Sequence, residues 1–317
     1  MAWPRTRSRS SPPLRVAVRA GAAGCVAAAI VVPLIRRRRR IPAPLTLAAC
    51  ASGPLALAVL WPRSKKRDVA LFALQMWGFT MAHELPYDRP DRLRARLRTG
   101  YPIALDRALG AGRLPTVRLQ RALARLGRAN ALDRGLAWIH WLWFIEPYAA
   151  LVLILVRHNE RFPRAARQLA AVFDLGCAVY YVVPTAPPWW SSEQGLTGEE
   201  VRRIMVEVGE EAWGDAWEPL YGALGGNPWA AMPSLHFATS LLAALLLAEA
   251  GAAEGVAGWS YALALGFALV YLGEHYVTDL IAGAGLVALV RAGEPLAEPL
   301  VLRINAGLQR LEQIARS

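Results

Sequence analysis

Three residues of the types that perform acid–base and nucleophilic chemistry occur in two short motifs: His236, His275 and Asp279. The first motif, Pro233–His236, opens an apolar run, and a histidine one turn inside a membrane helix is rare and usually functional. In the second motif Asp279 follows His275 by four residues, so that on a helix both side chains share one face. An aspartate there can hold an imidazole in one tautomer and stabilise its charged form. For either motif alone, a capping or otherwise satisfied histidine is the alternative interpretation.

The chain that must position these residues is more apolar than an ordinary soluble domain. Its 317 residues are 55% hydrophobic, with a mean hydropathy of +0.27. Eight apolar runs lie near the length that a bilayer requires, roughly 20 residues. Because lipid cannot satisfy backbone polar groups and no period-2 pattern occurs, each run is predicted to be a helix. The runs are 16–35, 42–61, 68–85, 134–156, 164–184, 229–250, 255–274 and 276–292.

These runs predict an all-α, multi-span transmembrane helical bundle with six core spans and up to two additional N-terminal apolar segments. Residues 1–133 are predicted to hold the N-terminal apolar segments and a basic amphipathic connector. Residues 134–292 form the expected catalytic transmembrane domain. Apolar residues at helical spacing then predict an amphipathic surface tail over 293–317.

The charge pattern predicts membrane partners. The formal net charge is +12, and the arginine clusters flank apolar runs, which favours anionic lipid head groups over nucleic acid. We therefore expect a bilayer and a phospholipid or lipid-phosphate substrate as partners, and no nucleic acid. Cys25, Cys50 and Cys177 lie in apolar runs without a CxxC pair, and the acidic residues are not spaced as a metal cage. We expect neither a metal nor a cofactor, and the oligomeric state stays open.

Loop charges predict which membrane face carries the two motifs. The basic turn 157–167 is expected in the cytoplasm and the acidic segment 185–228 outside. Alternation of the spans then places 233–236 and 274–279 at the same, extracytoplasmic face of a multi-pass cell-membrane protein. Continued backwards, the same alternation leaves the basic run 36–40 outside, against the positive-inside rule.

The motifs resemble two signatures of the type 2 phosphatidic acid phosphatase superfamily, namely Pro233–His236 and His275–Asp279. Within it, Pro-Ser-Leu-His, His-Tyr-x-x-Asp and the upstream Pro184–Pro188 resemble the inositol phosphorylceramide synthase branch, known for aureobasidin resistance. The resemblance covers about 134–292. It implies that His275 attacks phosphorus, that Asp279 orients it, and that His236 protonates the leaving group.

Two basic elements of the superfamily's phosphatases are absent. Ala268 and Leu269 stand where those enzymes have a Ser-Arg pair, six residues before the nucleophile. The Arg89–Pro90 dipeptide has Ala82 where the Lys-x6-Arg-Pro element has its lysine. The missing Ser-Arg pair is also typical of the synthase branch and favours phosphotransfer.

Other cations must then neutralise the negative charge of the substrate phosphate. Arg89, Arg92 and Arg94 are the first candidates, because an arginine fork suits phosphate oxygens. Their alternative role is snorkelling or binding of bulk anionic lipid. Ser234 and Tyr276, inside the two motifs, are the other candidate substrate-binding residues.

Three further polar residues lie within predicted spans: His140, Glu146 and Asp174. Ionisable groups at membrane depth are rare and tend to face a cavity or one another. These three either line a substrate cavity or pair with each other.

The sequence therefore predicts a membrane-embedded lipid phosphotransferase that acts through a phosphohistidine intermediate, with inositol-containing head groups among its candidate substrates. A lipid phosphate phosphatase is the alternative, since water in place of an alcohol acceptor changes only the second step. A non-enzymatic membrane scaffold or transporter is a further alternative, although the inverted repeats typical of transporters are not found in the sequence.

Overall fold

Helices make up all the regular secondary structure in the residues that the computed structural model describes, 12–125, 129–224 and 226–317. In these residues β-structure is limited to two isolated bridges, which join Thr185 to Arg98 and to Ala230. Two compact units are present, one formed by the N-terminal residues through Leu85 together with Ala292–Ser317, the other by Pro86–Arg291. The predicted all-α class is confirmed. Parts of the predicted N-terminal segment (1–11) and of its basic connector (126–128) lie outside the described residues.

The first unit contains the three N-terminal apolar runs as helices. Gly53 permits close packing within it, because a Cβ there would lie 2.5 Å from the Ala29 side chain. The buried Arg36 donates to Glu84 at 3.0 Å, so its charge is compensated inside the unit. The helices are α1 (Pro12–Arg39), α2 (Ala43–Leu60) and α3 (Lys65–Glu84).

The second unit begins with short helices in the predicted connector. They are α4 (Pro90–Arg94), α5 (Gly100–Leu109) and α6 (Pro115–Leu123). The predicted run 134–156 is then broken into α7 (Ala131–Leu142) and α8 (Glu146–Arg157), bent by 52°. Pro147 explains the break, because proline has no N–H to donate to the carbonyl four residues earlier and its ring clashes with that carbonyl.

The remaining helices carry the two motifs. They are α9 (Phe162–Val182), α10 (Pro188–Glu193), α11 (Ile204–Trp213), α12 (Trp217–Leu224), α13 (Leu235–Ala250), α14 (Ala252–Tyr271) and α15 (Val277–Arg316).

Helices α13 and α15 approach each other at two places. A Cβ on Gly283 would lie 2.8 Å from the backbone oxygen of Ser234, so only glycine allows this approach. At the other end, Arg291 of α15 pairs with Glu249 of α13, which also accepts from Arg164 of α9 at 2.9 Å. The start of α13 is thereby held against the first turns of α15.

Among the described residues, four helices are long and apolar enough to cross a membrane by length and composition: α1, α2, α14 and α15. The bent α7–α8 pair adds a fifth if it is counted as one span. Helices α3, α9 and α13 coincide with the other predicted runs. Helix α15 continues for 40 residues, through the segment predicted as a surface tail. The multi-span membrane class is confirmed, whereas the domain boundaries at 133 and 292 stay predictions.

Candidate active site

The two motifs meet where α13 and α15 begin. Nδ1 of His236 lies 3.3 Å from Nε2 of His275, with the ring centroids 5.4 Å apart. The backbone N–H of Ser234 donates to the carbonyl of Asp279 at 3.0 Å, which joins the two motifs directly. The three residues selected from the sequence are therefore brought together in space.

Asp279 orients His275 in a way that differs in detail from the prediction. His275 precedes α15, so the two residues do not share a helix face, and Asp279 in the first turn reaches back to it. Oδ2 of Asp279 lies 3.2 Å from Nδ1 of His275 and accepts the backbone N–H of Tyr276 at 2.9 Å. Asp279 is fully buried, and a carboxylate in a first turn is favoured by the helix dipole. With Nδ1 directed to the carboxylate, Nε2 of His275 faces Nδ1 of His236.

A residue far away in the sequence caps the helix that carries Asp279. Asp106 of α5 accepts the backbone N–H groups of Val277 and Thr278, both at 2.9 Å. These belong to the first donors of α15, which have no partner inside the helix. Sequence reasoning missed Asp106, whose only signal is an acidic residue inside an arginine-rich segment.

Ser234 and Tyr276, two candidate substrate-binding residues, are both fully buried. The Ser234 hydroxyl caps α13 by accepting the backbone N–H of Phe237 at 3.3 Å. Tyr276 packs in a cluster of buried apolar residues that includes Leu114 and Trp189. The contacts of both residues hold the backbone of the motifs, and their role in binding substrate stays a prediction.

The arginine candidates lie around α4. Arg94 donates to Gln194 at 3.2 Å, and its guanidinium carbon lies 5.8 Å from the centroid of the Trp190 ring. Within the described part of the chain, these contacts of Arg94 lead to Gln194 and Trp190 and not to the histidines. Their role as phosphate ligands stays a prediction.

The break between α7 and α8 lies against His236. The Trp143 ring centroid is 4.1 Å from that of His236, and the His140 ring centroid is 5.1 Å away. Nε1 of Trp143 donates to the Thr239 hydroxyl at 2.9 Å, which fixes the indole beside the histidine. Sequence reasoning missed Trp143 as a neighbour of the site, because a single apolar run shows no bend.

An ion pair lies directly beside the second motif. Nε of Arg203 donates to Oε1 of Glu274 at 3.2 Å, and Glu274 immediately precedes His275. Arg203 also donates to the Tyr221 hydroxyl at 2.8 Å. Burial, together with the charge of Glu274, raises the pKa of Tyr221, so the hydroxyl stays protonated. The sequence held no signal for this pair, since Arg203 lies in a segment otherwise dominated by acidic residues.

Metal ligation has no candidate in the ranges that the structure describes: no three His, Cys, Asp or Glu residues there are grouped to hold an ion. The site instead offers two imidazoles, one buried carboxylate and a neighbouring guanidinium. Such a set can provide a nitrogen nucleophile, a proton donor and a cation for an anionic substrate.

A family model and two curated proteins are similar in sequence to this chain. The PAP2 superfamily model matches residues 103–292. The inositol phosphorylceramide synthase catalytic subunit aur1 of Schizosaccharomyces pombe is 24% identical over 166 residues, which are 49% of this chain and 38% of that protein. The phosphoinositol dihydroceramide synthase of Bacteroides thetaiotaomicron is 29% identical over 154 residues, 44% of this chain and 47% of that protein. No solved structure gave a significant match.

The chain spans less than half the length of these two curated relatives. The matched family region nevertheless contains both motifs and the whole histidine–aspartate cluster. The resemblance inferred from the motifs is confirmed, in the superfamily and in its likeness to inositol phosphorylceramide synthases. The chain belongs to the PAP2 superfamily.

Proposed function

We propose that the protein is a membrane-embedded lipid phosphotransferase that works through a phosphohistidine formed on His275. The observation that carries the proposal is the ordered array from Asp279 to His275 to His236, with contacts of 3.2 Å and 3.3 Å. An imidazole that is oriented by a carboxylate and faces a second proton-carrying group is a suitable nucleophile for phosphorus.

In the first step Nε2 of His275 attacks the phosphorus of the donor lipid. The carboxylate of Asp279 holds the proton on Nδ1, so that the lone pair stays on Nε2. The bond between phosphorus and the leaving oxygen breaks, and His236 gives its proton to that oxygen. General acid catalysis of this kind contributes about 10²–10⁴-fold.

In the second step an acceptor hydroxyl enters. His236, now neutral, removes the hydroxyl proton while the acceptor oxygen attacks phosphorus. The nitrogen–phosphorus bond breaks, and His275 returns to its starting state. With an alcohol as acceptor the product is a new phosphodiester, and with water the donor is hydrolysed.

Transfer to a lipid alcohol is supported by the relatives and by the sequence. Both relatives are named as synthases of ceramides that carry phosphoinositol. Ala268 and Leu269 occupy the positions of the phosphatase Ser-Arg pair. The donor is accordingly a phospholipid with an inositol-containing head group. A lipid phosphate phosphatase is the second candidate, because a phosphohistidine is open to water whenever the acceptor is absent.

We place this chemistry at the extracytoplasmic face of the cell membrane. The acidic segment 185–228 precedes α13, and both motifs lie at helix beginnings that meet each other. A cysteine introduced at Glu193 should react with a membrane-impermeant maleimide on intact cells. Reaction only after permeabilisation would place the site at the opposite face.

The ratio of transfer product to hydrolysis product tests whether the enzyme is a phosphotransferase or a phosphatase. Purified protein receives phosphatidylinositol as donor and increasing ceramide or another lipid alcohol, and new phosphodiester is followed against released inositol phosphate. We expect phosphodiester to rise with acceptor at the expense of hydrolysis, and neither product from the His275→Ala variant. If no alcohol yields phosphodiester while phosphatidic acid releases phosphate efficiently, the phosphatase assignment is correct. A folded protein that is silent with every lipid class contradicts both.

A further inference from the structure

Contacts with two separate segments, the turn at Gly273 and helix α10, position Arg203 beside the candidate site. A Cβ on Gly273 would lie 2.8 Å from the carbonyl oxygen of Arg202. The backbone next to Arg203 therefore packs closely against the turn that precedes His275. Gly273 has a positive φ of +86°, which also favours glycine there. The backbone N–H of Trp189 donates to the Gly273 carbonyl at 3.2 Å, which joins α10 to the same turn.

The Trp189 ring in turn supports the guanidinium. The Arg203 guanidinium carbon lies 3.6 Å from the centroid of that ring, and an arginine stacked on an indole keeps its planar fork oriented. The Tyr221 hydroxyl accepts a hydrogen bond from another nitrogen of the same guanidinium. The Arg203 side chain is 23% exposed, compared with 10% for Glu274, so the cation remains open to an incoming anion.

His140 lies beside the histidine pair. Its ring packs against His236, with the two ring centroids 5.1 Å apart. His140 is only 5% exposed, yet its Nδ1 has no hydrogen-bond partner among the described residues. A buried ring nitrogen without a partner indicates that a polar group belongs beside it. Polar groups outside the histidine pair, namely His140 and the ion pair of Arg203 with Glu274, therefore adjoin the two motifs.

A phosphoryl group suits the polar groups beside the two motifs, Arg203 above all, better than a neutral ligand does. In this chain Ala82 and Leu269 occupy the positions of the lysine and the arginine of the superfamily's phosphatases, so the phosphate charge must be met elsewhere. Arg203 is a preformed cation that neighbours the nucleophile through Glu274. A carboxylate and a phosphoryl group present similar pairs of oxygens to a guanidinium fork.

We propose that Arg203 binds the phosphoryl oxygens of the substrate, and that Glu274 holds its guanidinium in place until the substrate arrives. The inference rests on the proposed function, since it names the phosphate ligand of that same reaction. Substrate binding exchanges one anionic partner of Arg203 for another. Glu274 therefore competes with phosphate, and removing its charge should strengthen phosphate binding.

Binding of inorganic phosphate tests the inference without any lipid or turnover. The full chain in detergent is titrated with phosphate and followed by ³¹P NMR. We expect Arg203→Gln to weaken binding about tenfold or more, the loss of a charge-assisted pair. Arg202→Gln is the matched control. It removes the same charge at the neighbouring position, where the arginine pairs with Glu207 and not with Glu274. Glu274→Gln should bind phosphate more tightly than the wild type.

Two results would overturn the inference: wild-type phosphate affinity in a folded Arg203→Gln protein, or phosphate binding too weak to detect in the wild type. Equal weakening by Glu274→Gln and Arg203→Gln would refute the competition by Glu274. If Arg203→Gln does not fold, Arg203→Lys decides, with severalfold weaker binding in support and unchanged affinity against. Lipid turnover by the wild type is measured separately, so a failure of the proposed function is recognised independently.

Discussion

Replacing Asp106 tests whether His275, the proposed nucleophile, depends on a cap that a distant helix supplies. Asp106 is fully buried and accepts two backbone N–H groups at the start of α15, each at 2.9 Å. Asp106→Ala leaves both donors without a partner in a place that water does not reach easily. Asp106→Asn keeps one acceptor oxygen but turns an amide donor towards the other N–H.

The expected loss of stability follows from these two bonds. Each hydrogen bond to a charged acceptor contributes about 1.5–3 kcal/mol net. Removal of a single capping side chain costs about 0.5–2 kcal/mol. For two bonds at a buried cap we expect Asp106→Ala to lower the free energy of unfolding by about 3 kcal/mol, and Asp106→Asn by roughly half of that.

The effect on activity should exceed what this loss of stability explains. The turn that Asp106 caps carries His275 and Asp279, and a reacting group misplaced by about 1 Å costs about 10²-fold in rate. The assay is turnover of a lipid donor at a temperature where the variant stays folded, with kcat and KM determined separately. We expect kcat to fall and KM to change little, since α5 itself need not touch the lipid.

Asp91 provides the control, because it is an exposed aspartate in the same arginine-rich connector. Asp91→Ala should leave both stability and kcat near the wild-type values. Wild-type kcat in a folded Asp106→Ala protein would refute the reasoning, because the cap would then not position the nucleophile.

Four further variants test the site, with Gly285→Ala as a control. His275→Ala should abolish turnover and acid-labile phosphate labelling, whereas His236→Ala should slow turnover by about 10²–10⁴-fold with the fold intact. Asp279→Asn should lower kcat by up to about 10⁴-fold, because the amide favours the wrong imidazole tautomer. Gly283→Ala should lower activity at least tenfold, since a Cβ at 2.8 Å from a backbone oxygen separates the two motifs, whereas Gly285→Ala meets nothing within 4 Å and should be neutral.

For three of these variants, one result would contradict the stated expectation. Retained labelling in His275→Ala would move the nucleophile to another residue. Wild-type kcat in Asp279→Asn would mean that the carboxylate does not set the tautomer. Equal activity of the Gly283→Ala and Gly285→Ala proteins, compared under the same conditions, would show that the close approach of α13 and α15 is not required.

The sequence predicts best what depends on local composition. Apolar runs near the length of a bilayer span became helices, and the two short motifs that were selected for their chemistry meet at 3.3 Å. The helical face predicted for His275 and Asp279 was wrong in detail, because α15 begins only at Val277. A spacing of four residues also suits a turn that folds back onto a helix start, and composition does not separate the two.

The sequence could not reveal contacts whose partners are far apart in the chain. Asp106 bonds with backbone N–H groups more than 170 residues away, and any residue type can supply those donors. Arg203 pairs with Glu274 across 71 residues, and both lie among many other charges. The bend at Pro147 lies inside one continuous apolar run, so hydropathy alone predicts a single span.

The double attachment of α13 to α15 has a consequence for how the protein responds to its bilayer. Spans tilt when the hydrocarbon layer becomes thinner or thicker. These two helices are joined near Gly283 and again at Arg291, eight residues and about 12 Å further along α15. The close approach and the ion pair both oppose sliding of one helix against the other, so we expect the two helices to tilt together. The separation between His236 and His275 should then depend little on membrane thickness, and we expect changes in lipid chain length to affect substrate access before they affect chemistry.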